Sequence, residues 1–151
     1  TLFSSAYDNQ MRVYDLVQRR QVRSFTVTEL ALTALALLPG DALLAAGSLD
    51  NGLYIYSVDY GRVVSDVQCA HDDAVSSIAV RGTTLLSGSW DSSVRLWDCQ
   101  ASGLSRTPTV YLGEHEDGEV RCVDLSADTH TALTVSENGL IKVWDVRVGG
   151  C

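Results

Sequence analysis

The residue types of a serine hydrolase occur together in one stretch of the chain. Residues 87–99 read SGSWDSSVRLWDC, which places Ser87, Ser89 and Asp91 close in sequence, and His71 precedes them. In a hydrolase triad, histidine takes the proton of the serine hydroxyl and aspartate orients the imidazole. A nucleophile elbow would read GxSxG, however, and neither AGSLD nor SGSWD fits that pattern. A serine hydrolase is therefore the remote alternative, and scaffolding is the preferred interpretation.

The same pattern occurs four times along the chain. The stretches SSAYDNQMRVYDL, AGSLDNGLYIYSV and VSENGLIKVWDV resemble residues 87–99. Their aromatic residues are Tyr14, Tyr56, Trp97 and Trp144, at intervals of 41 to 47 residues. Six positions before each aromatic residue stand Asp8, Asp50, Asp91 and Asn138. A self-similarity with a period in this range is typical of propellers and other repeat folds.

Each repeat predicts short strands rather than helices. In the third repeat, residues 75–80 are apolar with small polar breaks, residues 83–87 follow, and apolar and polar residues alternate around Val94 and Leu96. The Asp-Asn, Asn-Gly and Asp-Ser pairs tolerate the positive φ that tight hairpins require. We therefore expect antiparallel meanders that cannot bury both faces alone and that stack around an axis as blades.

The sequence resembles the WD40-repeat family. VRLWD at 94–98 and IKVWD at 141–145 match its signature, and VYD and IYS are weaker copies. AHDDAVSSI and EHEDGEVRCV resemble the Gly-His element, although Ala70 and Glu114 replace its glycine. The implied fold is all-β: a WD40 propeller segment of about three and a half four-stranded blades in an incomplete ring. The expected units within residues 1–151 are a partial blade 1–26, blades 27–69 and 70–114, and a partial blade 115–148.

The resemblance also implies a structural role for the polar residues. In WD40 blades, a histidine, a serine or threonine, the turn aspartate and the tryptophan form a hydrogen-bonded chain that fixes the blade. The complete set is expected in the third repeat: His71, Ser87 or Ser89, Asp91 and Trp97. The fourth repeat has a variant that lacks the anion: His115, Asn138 and Trp144. Tyrosine replaces the indole in the other repeats, so we expect all blades except the third to be held less firmly.

Family geometry further implies a protein-binding top face. The residues placed there are those just before each turn residue and those early in each innermost strand: Tyr7, Leu49, Trp90, Glu137, Thr33, Ser76 and Arg121. Tryptophan, tyrosine and arginine contribute most to binding energy at protein interfaces. Trp90 is therefore the strongest single candidate for contact with a partner.

Two narrower resemblances point to particular functions. WDVR at 144–147 is similar to the WDxR box of cullin-4 ubiquitin ligase substrate receptors, in which Asp145 and Arg147 would make the contact, with arginine able to form a charge-assisted, bidentate one. VRSF, LLPGD, LDNGLYIYSVDYGR, HDDAVSSI and SGSWDSSVRLW, in that order, resemble the WD-repeat region of BEACH-domain proteins associated with neutral sphingomyelinase activation. That resemblance implies a cytoplasmic adaptor in receptor signalling or membrane traffic, peripheral to membranes through other domains, with a receptor cytoplasmic tail as a protein partner.

Composition disfavours other classes. The chain of 151 residues has 19 acidic and 11 basic residues and a net charge of -8, so nucleic acids and anionic membranes would be repelled. No apolar stretch approaches the roughly 20 residues of a membrane helix. The four cysteines form no CxxC pair, and no nucleotide-binding or zinc-protease motif occurs. No nucleic acid, membrane insertion, metal or cofactor is predicted.

Two expectations concern the edges of the blades. Because the chain does not begin with methionine and the strand count gives an incomplete ring, a fragment is expected. Its open strand edges would pair with remaining blades of a parent chain or with another copy. The longer polar stretch CQASGLSRTPT at 99–109 is expected to be a mobile loop on the blade rim.

Overall fold

The computed structural model describes residues 1–100, 103–115 and 118–147, which form fifteen strands in four antiparallel sheets. The first sheet contains β1 (Leu2–Ser5), β2 (Gln10–Asp15) and β3 (Arg20–Thr26). The second contains β4 (Leu32–Leu37), β5 (Leu43–Ser48), β6 (Leu53–Ser57) and β7 (Arg62–Val67). The third contains β8 (Val75–Arg81), β9 (Thr84–Ser89), β10 (Ser93–Gln100), β11 (Gly103–Leu104) and β12 (Val110–Glu114). The fourth contains β13 (Val120–Leu125), β14 (Thr131–Ser136) and β15 (Ile141–Asp145).

These sheets confirm the predicted all-β fold, an incomplete propeller of consecutive meanders. Strands adjacent in sequence pair within each sheet, except that β12 returns to pair with β10. No helix occurs among the described residues, and so none there could cross a membrane. The expected end of the last unit, at residue 148, lies outside the described residues.

The hairpin turn that carries the recurring Asp or Asn has two features in common in all four sheets. Its second residue has a positive φ each time: Asn9 at 65°, Asn51 at 65°, Ser92 at 70° and Gly139 at 84°. The preceding Asp or Asn side chain accepts a hydrogen bond from the backbone amide two residues later, as Asp91 does from Ser93 at 2.8 Å. The recurring Asp or Asn side chain therefore stabilises its own turn.

Apolar cores fill the spaces between successive sheets. Met11, Leu44 and Tyr56 are buried between the first two sheets, and Trp97 is buried in the core that joins the second and third. Trp144 is buried in the core that joins the third and fourth. Each sheet therefore stacks on the next, as expected for meanders that cannot bury both faces alone.

Only part of the stretch at 99–109 is the loop that the sequence predicts. β10 continues to Gln100 and pairs with β11, so that Cys99 lies opposite Leu104. Both side chains are buried in the core between the second and third sheets, and the amide of Leu104 donates to Ser65 Oγ at 3.1 Å. Burial also raises the pKa of the Cys99 thiol to about 11. The prediction of a mobile loop is wrong for Cys99 and Leu104, because they form an apolar cross-strand pair packed against β7. Residues 105–109 form no strand, and residues 101–102 lie outside the described part.

Candidate functional site

A chain of hydrogen bonds runs through the third sheet. The indole Nε1 of Trp97 donates to Ser87 Oγ at 2.8 Å, and Ser87 Oγ lies 2.7 Å from His71 Nε2. His71 Nδ1 lies 3.1 Å from Asp91 Oδ2 and 2.9 Å from Ser93 Oγ. Because an ionised carboxylate only accepts, the imidazole carries its hydrogen on Nδ1, and Nε2 accepts from the Ser87 hydroxyl. Both ring nitrogens of His71, the indole and the Ser87 hydroxyl therefore all have partners.

The charges of this network follow from burial and hydrogen bonding. Burial lowers the pKa of His71, although the Asp91 carboxylate opposes that effect. Burial alone would raise the pKa of Asp91, but hydrogen bonds from His71, Ser93 and the amide of Asp72 hold it below its usual range. Near neutral pH the pair is thus a neutral imidazole beside an ionised carboxylate.

The location of the serines argues against a catalytic role. Ser87 has no exposed surface, and its hydroxyl is already bonded to an indole and an imidazole. Ser89 is equally buried, donates to the carbonyl of Asp73 and accepts from the amide of Asp91. It belongs to the turn rather than to the chain of hydrogen bonds. A substrate carbonyl therefore has no path to either hydroxyl, and the geometry suits a structural link.

The fourth sheet contains a reduced version of the network. Trp144 Nε1 donates to Thr134 Oγ1 at 2.7 Å, and His115 Nε2 lies 2.6 Å from the same oxygen. His115 is fully buried, and its Nδ1 has no hydrogen-bond partner. The bonds described for Asn138 go to Ser136 and to the amide of Leu140. The loss of the anion predicted at Asn138 thus coincides with an unsatisfied imidazole nitrogen.

Sequence reasoning missed three members of these polar cores. Ser93 and Thr134 occupy strand positions that a repeat alignment would have offered, two residues after Asp91 and ten before Trp144. In the second sheet Thr28 stands four residues before β4, where His71 stands before β8, and its hydroxyl lies 3.4 Å from Ser48 Oγ. The hydroxyl of Tyr56 is buried there without a hydrogen-bond partner.

The predicted top face is one end of the stack of sheets. At this end the turns of the second, third and fourth sheets bond to the loop that precedes the first strand of the same sheet: Leu49 N to Ala31 O, Trp90 N to Ala74 O, and Glu137 N to Glu119 O, all within 3.0 Å. A shallow cavity of about 300 Å³ opens here. Its lining residues are Ser5, Ala6, Tyr7, Leu32, Thr33, Ser76, Trp90 and Arg121. Five of the seven predicted residues thus line one cavity.

The other predicted top-face residues have different positions. Glu137 lies 3.0 Å from Arg121, and Glu119 lies equally close to the same guanidinium, which also sits 5.8 Å from the ring centroid of Trp90. Leu49 is half-buried and is not among the residues that line the cavity. Arg121 is therefore held over Trp90 by two carboxylates.

The two hydroxyls of the top face make bonds between sheets. Thr33 Oγ1 donates to the carbonyl of Val75, and Ser76 Oγ donates to that of Val120. These hydrogen bonds join the first strands of neighbouring sheets, so the two hydroxyl hydrogens are already engaged within the protein.

Within the WDxR box, Trp144 is buried, whereas the side chains of Asp145 and Arg147 lie at the surface and are bonded to each other. Arg147 Nη2 lies 2.7 Å from Asp145 Oδ2, and Nε lies 3.0 Å from Oδ1. The hydrogen bond from Arg147 lowers the pKa of Asp145 to about 2. Within the described ranges, no group of three or more His, Cys, Asp or Glu side chains could hold a metal ion.

Comparison with known proteins decides the family. A family profile described as "WD domain, G-beta repeat" matches residues 63–98 and 106–145, which is half of the chain. The chain belongs to the WD40-repeat family. The first matched range contains Trp97 and the second contains Trp144, whereas the tyrosine repeats around Tyr14 and Tyr56 lie outside both. The WD40 signature is therefore strongest where the histidine-to-tryptophan chain is present.

Relatives within the WD40 family include periodic tryptophan proteins. The chain is 29% identical to Periodic tryptophan protein 2 homolog of Dictyostelium discoideum, over 99% of this chain and 18% of that protein. It is 31% identical to the Schizosaccharomyces pombe homolog, over 89% of this chain and 16% of that protein. An F-box/WD-40 repeat-containing protein of Arabidopsis thaliana is 28% identical over 96% of this chain and 27% of its own length. The chain thus spans less than a fifth of the two periodic tryptophan proteins, and none of these three is named a BEACH-domain protein.

Proposed function

We propose that this WD40 chain is a non-enzymatic protein-interaction scaffold that binds a partner protein through its top face. The observation that carries the proposal is the cavity in which Tyr7, Trp90 and Arg121 come together. Tyr7 is exposed and Trp90 is half-buried, so both rings can contact a partner. These residue types supply most of the binding energy in protein interfaces.

The polar network beneath the cavity supports the proposal because it fixes the turn that carries Trp90. The amide of Trp90 donates to Ala74, and the adjacent Asp91 is bonded to His71 and to the amide of Ser93. A side chain held in place before binding loses little conformational freedom when the partner arrives. The buried serine network and the exposed aromatic surface thus have complementary roles, one structural and one in recognition.

The top face can be tested by substitution with a matched control. We expect Trp90→Ala and Tyr7→Ala to lose protein partners in quantitative affinity purification, because each removes an aromatic contact. Tyr60→Ala is the control, since Tyr60 is equally exposed but lies at the other end of the sheets, beside the bonded pair Val58 and Ala42. If all three variants keep the same partners, or if Tyr60→Ala has the larger effect, the top face is not the binding surface.

The non-enzymatic part of the proposal has a separate test. A serine-directed fluorophosphonate should not label Ser87 or Ser89 in the folded protein, because both hydroxyls are buried and bonded. Labelling of either serine under native conditions would restore the hydrolase alternative.

The narrower predictions stay proposals with less support. A BEACH-type adaptor rests on the ordered segments between Val22 and Trp97, and the periodic tryptophan relatives give it no support. Its test is co-purification with a tumour necrosis factor receptor tail from the cytoplasmic fraction, where we propose the protein resides. Failure to co-purify would remove this adaptor role.

A cullin-4 substrate receptor rests on the exposed pair Asp145 and Arg147. Arg147→Ala should abolish binding to the cullin-4 adaptor, whereas Arg106→Ala, at another exposed arginine, should not. Equal binding by both variants would remove this candidate.

A further inference from the structure

The fourth sheet carries an apolar face that is open to solvent. Leu133, Ile141 and Val143 are 43%, 66% and 56% exposed. Leu133 and Val143 lie opposite each other on β14 and β15, so the three side chains form one patch on one side of the sheet. We name these three residues the fourth-sheet face. It lies apart from the top-face cavity, so its occupant is independent of the proposed function.

The same register positions are buried in the two preceding sheets. In the third sheet, Leu86 lies opposite Leu96, and Val94 precedes Leu96 by two residues. In the second sheet, Ala45 lies opposite Ile55, and Leu53 precedes Ile55 by two. All six of these residues are at most 1% exposed. The fourth-sheet face thus repeats a pattern that the following sheet covers in the second and third sheets.

In both the second and the third sheet, the residues at these positions are covered by the next antiparallel sheet. Ala45, Leu53 and Ile55 share a core with Val75 and Trp97 of the third sheet. Leu86, Val94 and Leu96 share a core with Val120 and Trp144 of the fourth. The next sheet therefore presents its first strand and its tryptophan to this face.

One position in the fourth sheet differs from its two counterparts. Gly47 and Gly88 stand two residues after Ala45 and Leu86, and a Cβ atom at either would lie 2.6 or 2.5 Å from Cγ1 of Val75 or Val120. The glycines thus allow the following first strand to approach closely. The corresponding residue of the fourth sheet is Val135. A sheet with valine in its first strand could not approach Val135 in the same way.

A second difference lies at the inner end of the sheet. Thr33 and Ser76 donate to the carbonyls of Val75 and Val120 in the next sheet, whereas the corresponding Arg121 pairs with Glu119 and Glu137. The inter-sheet hydrogen bond is thus replaced by contacts within the fourth sheet and with Trp90. Both differences concern the first strand of the covering sheet, and the apolar pattern itself is retained.

We infer that the fourth-sheet face docks a further antiparallel β-sheet of the blade type, whose first strand carries glycine, alanine or serine where Val75 and Val120 stand. A sheet is the occupant because the face continues the two sheet-on-sheet interfaces of the chain with the same alternation and register. A small residue is required because Val135 occupies the space that Gly47 and Gly88 leave free.

Carbene footprinting of the full-length natural protein tests whether the face is covered. Leu96 serves as the buried internal standard and Val17, which is 93% exposed, as the exposed one. We expect Leu133, Ile141 and Val143 to be labelled as weakly as Leu96. Labelling at the level of Val17 would overturn the inference.

Photo-crosslinking then identifies the occupant. We replace Ile141 by p-benzoylphenylalanine in the full-length protein and map the adduct by mass spectrometry. The expected adduct lies in a four-stranded meander with a small residue at the position of its first strand that matches Val75 and Val120. An adduct in a helical segment, in a sheet with valine, leucine or isoleucine at that position, or in β1 or β2 of a second copy would overturn the inference.

Discussion

The third and fourth sheets contain the same histidine and tryptophan but satisfy the imidazole differently. His71 has partners on both ring nitrogens, whereas His115 has one only on Nε2. Two residues differ between the sheets at the positions that contact His71 Nδ1: Asn138 stands where the third sheet has Asp91, and Leu140 stands where it has Ser93. A buried polar network stabilises a sheet most when every member is bonded. The comparison therefore predicts that the third sheet is the more firmly held of the two.

The largest effect is expected from loss of the buried indole. Trp97→Ala leaves a cavity between two sheets and removes the donor to Ser87, so we expect the free energy of unfolding to fall by about 3–5 kcal/mol. Urea denaturation monitored by circular dichroism measures the loss. Trp90→Ala, at the half-buried top-face tryptophan, is the control and should cost much less. Equal losses for the two variants would contradict a structural role specific to Trp97.

Removing the two turn side chains compares the stabilities of the third and fourth sheets directly. Asp91→Ala breaks charge-assisted bonds to His71 and two backbone amides and should lower the free energy of unfolding by about 2–3 kcal/mol. Asn138→Ala removes an uncharged side chain that accepts from Ser136 and from the amide of Leu140, and it should cost about 1 kcal/mol. Both are measured by urea denaturation at pH 7. A larger loss for Asn138→Ala would reverse the comparison.

The stability of both sheets should depend on pH with the same sign. Burial lowers the pKa of His71 and His115 in the folded state. The ordinary pKa of histidine is about 6.5, so below that pH the unfolded chain binds protons before the folded protein does. Stability is therefore complete above that pH and declines below it. The lowered pKa of Asp91 adds a second decline below about pH 4.

Two variants show which side chains cause these two losses of stability. His115→Gln should weaken the first, and Asp91→Asn should weaken the second, when the melting temperature is measured from pH 3 to pH 8. A melting temperature that rises as pH falls through 6.5 would contradict neutral histidines in the folded protein.

The smallest effect is expected from restoring the missing anion. Asn138→Asp places a carboxylate at the position from which Asp91 accepts the His71 hydrogen, so His115 Nδ1 should gain a partner. We expect a stabilisation of up to about 1 kcal/mol and a higher His115 pKa, followed by NMR titration. An unchanged His115 pKa would show that the position of the turn residue alone does not complete the network.

The repeat pattern carried most of the fold because it marks turns and core together. The recurring turn residue identifies the hairpin, and the aromatic residue six positions later identifies a strand position, which is buried at Tyr56, Trp97 and Trp144. The sequence did not distinguish Ser87 from Ser89, since both are small hydroxyls on β9. Both side chains lie on the same side of β9, because residues two apart in a strand share a face. Their positions along the strand distinguish them: Ser87 lies beside His71 and Trp97, whereas Ser89, at the end of the strand, bonds to the loop and the turn.

Contacts between distant segments were beyond the reach of the pattern. The pairing of Cys99 with Leu104 was missed because polar residues surround them, and their burial depends on β7, which lies more than thirty residues earlier. Likewise, Tyr7, Trp90 and Arg121 were assigned to the top face by family geometry, whereas the two carboxylates around Arg121 emerged only from the structure. Local propensity predicts an element; it does not predict what that element packs against.

The short hairpin of β10 and β11 has a consequence for how the molecule comes apart. Leu104 belongs to the third sheet but packs against β7, the outermost strand of the second sheet. Opening either sheet therefore breaks the contact between Leu104 and β7. Residues 32–104 should thus behave as one cooperative unit in native-state hydrogen exchange, with the flanking segments opening first.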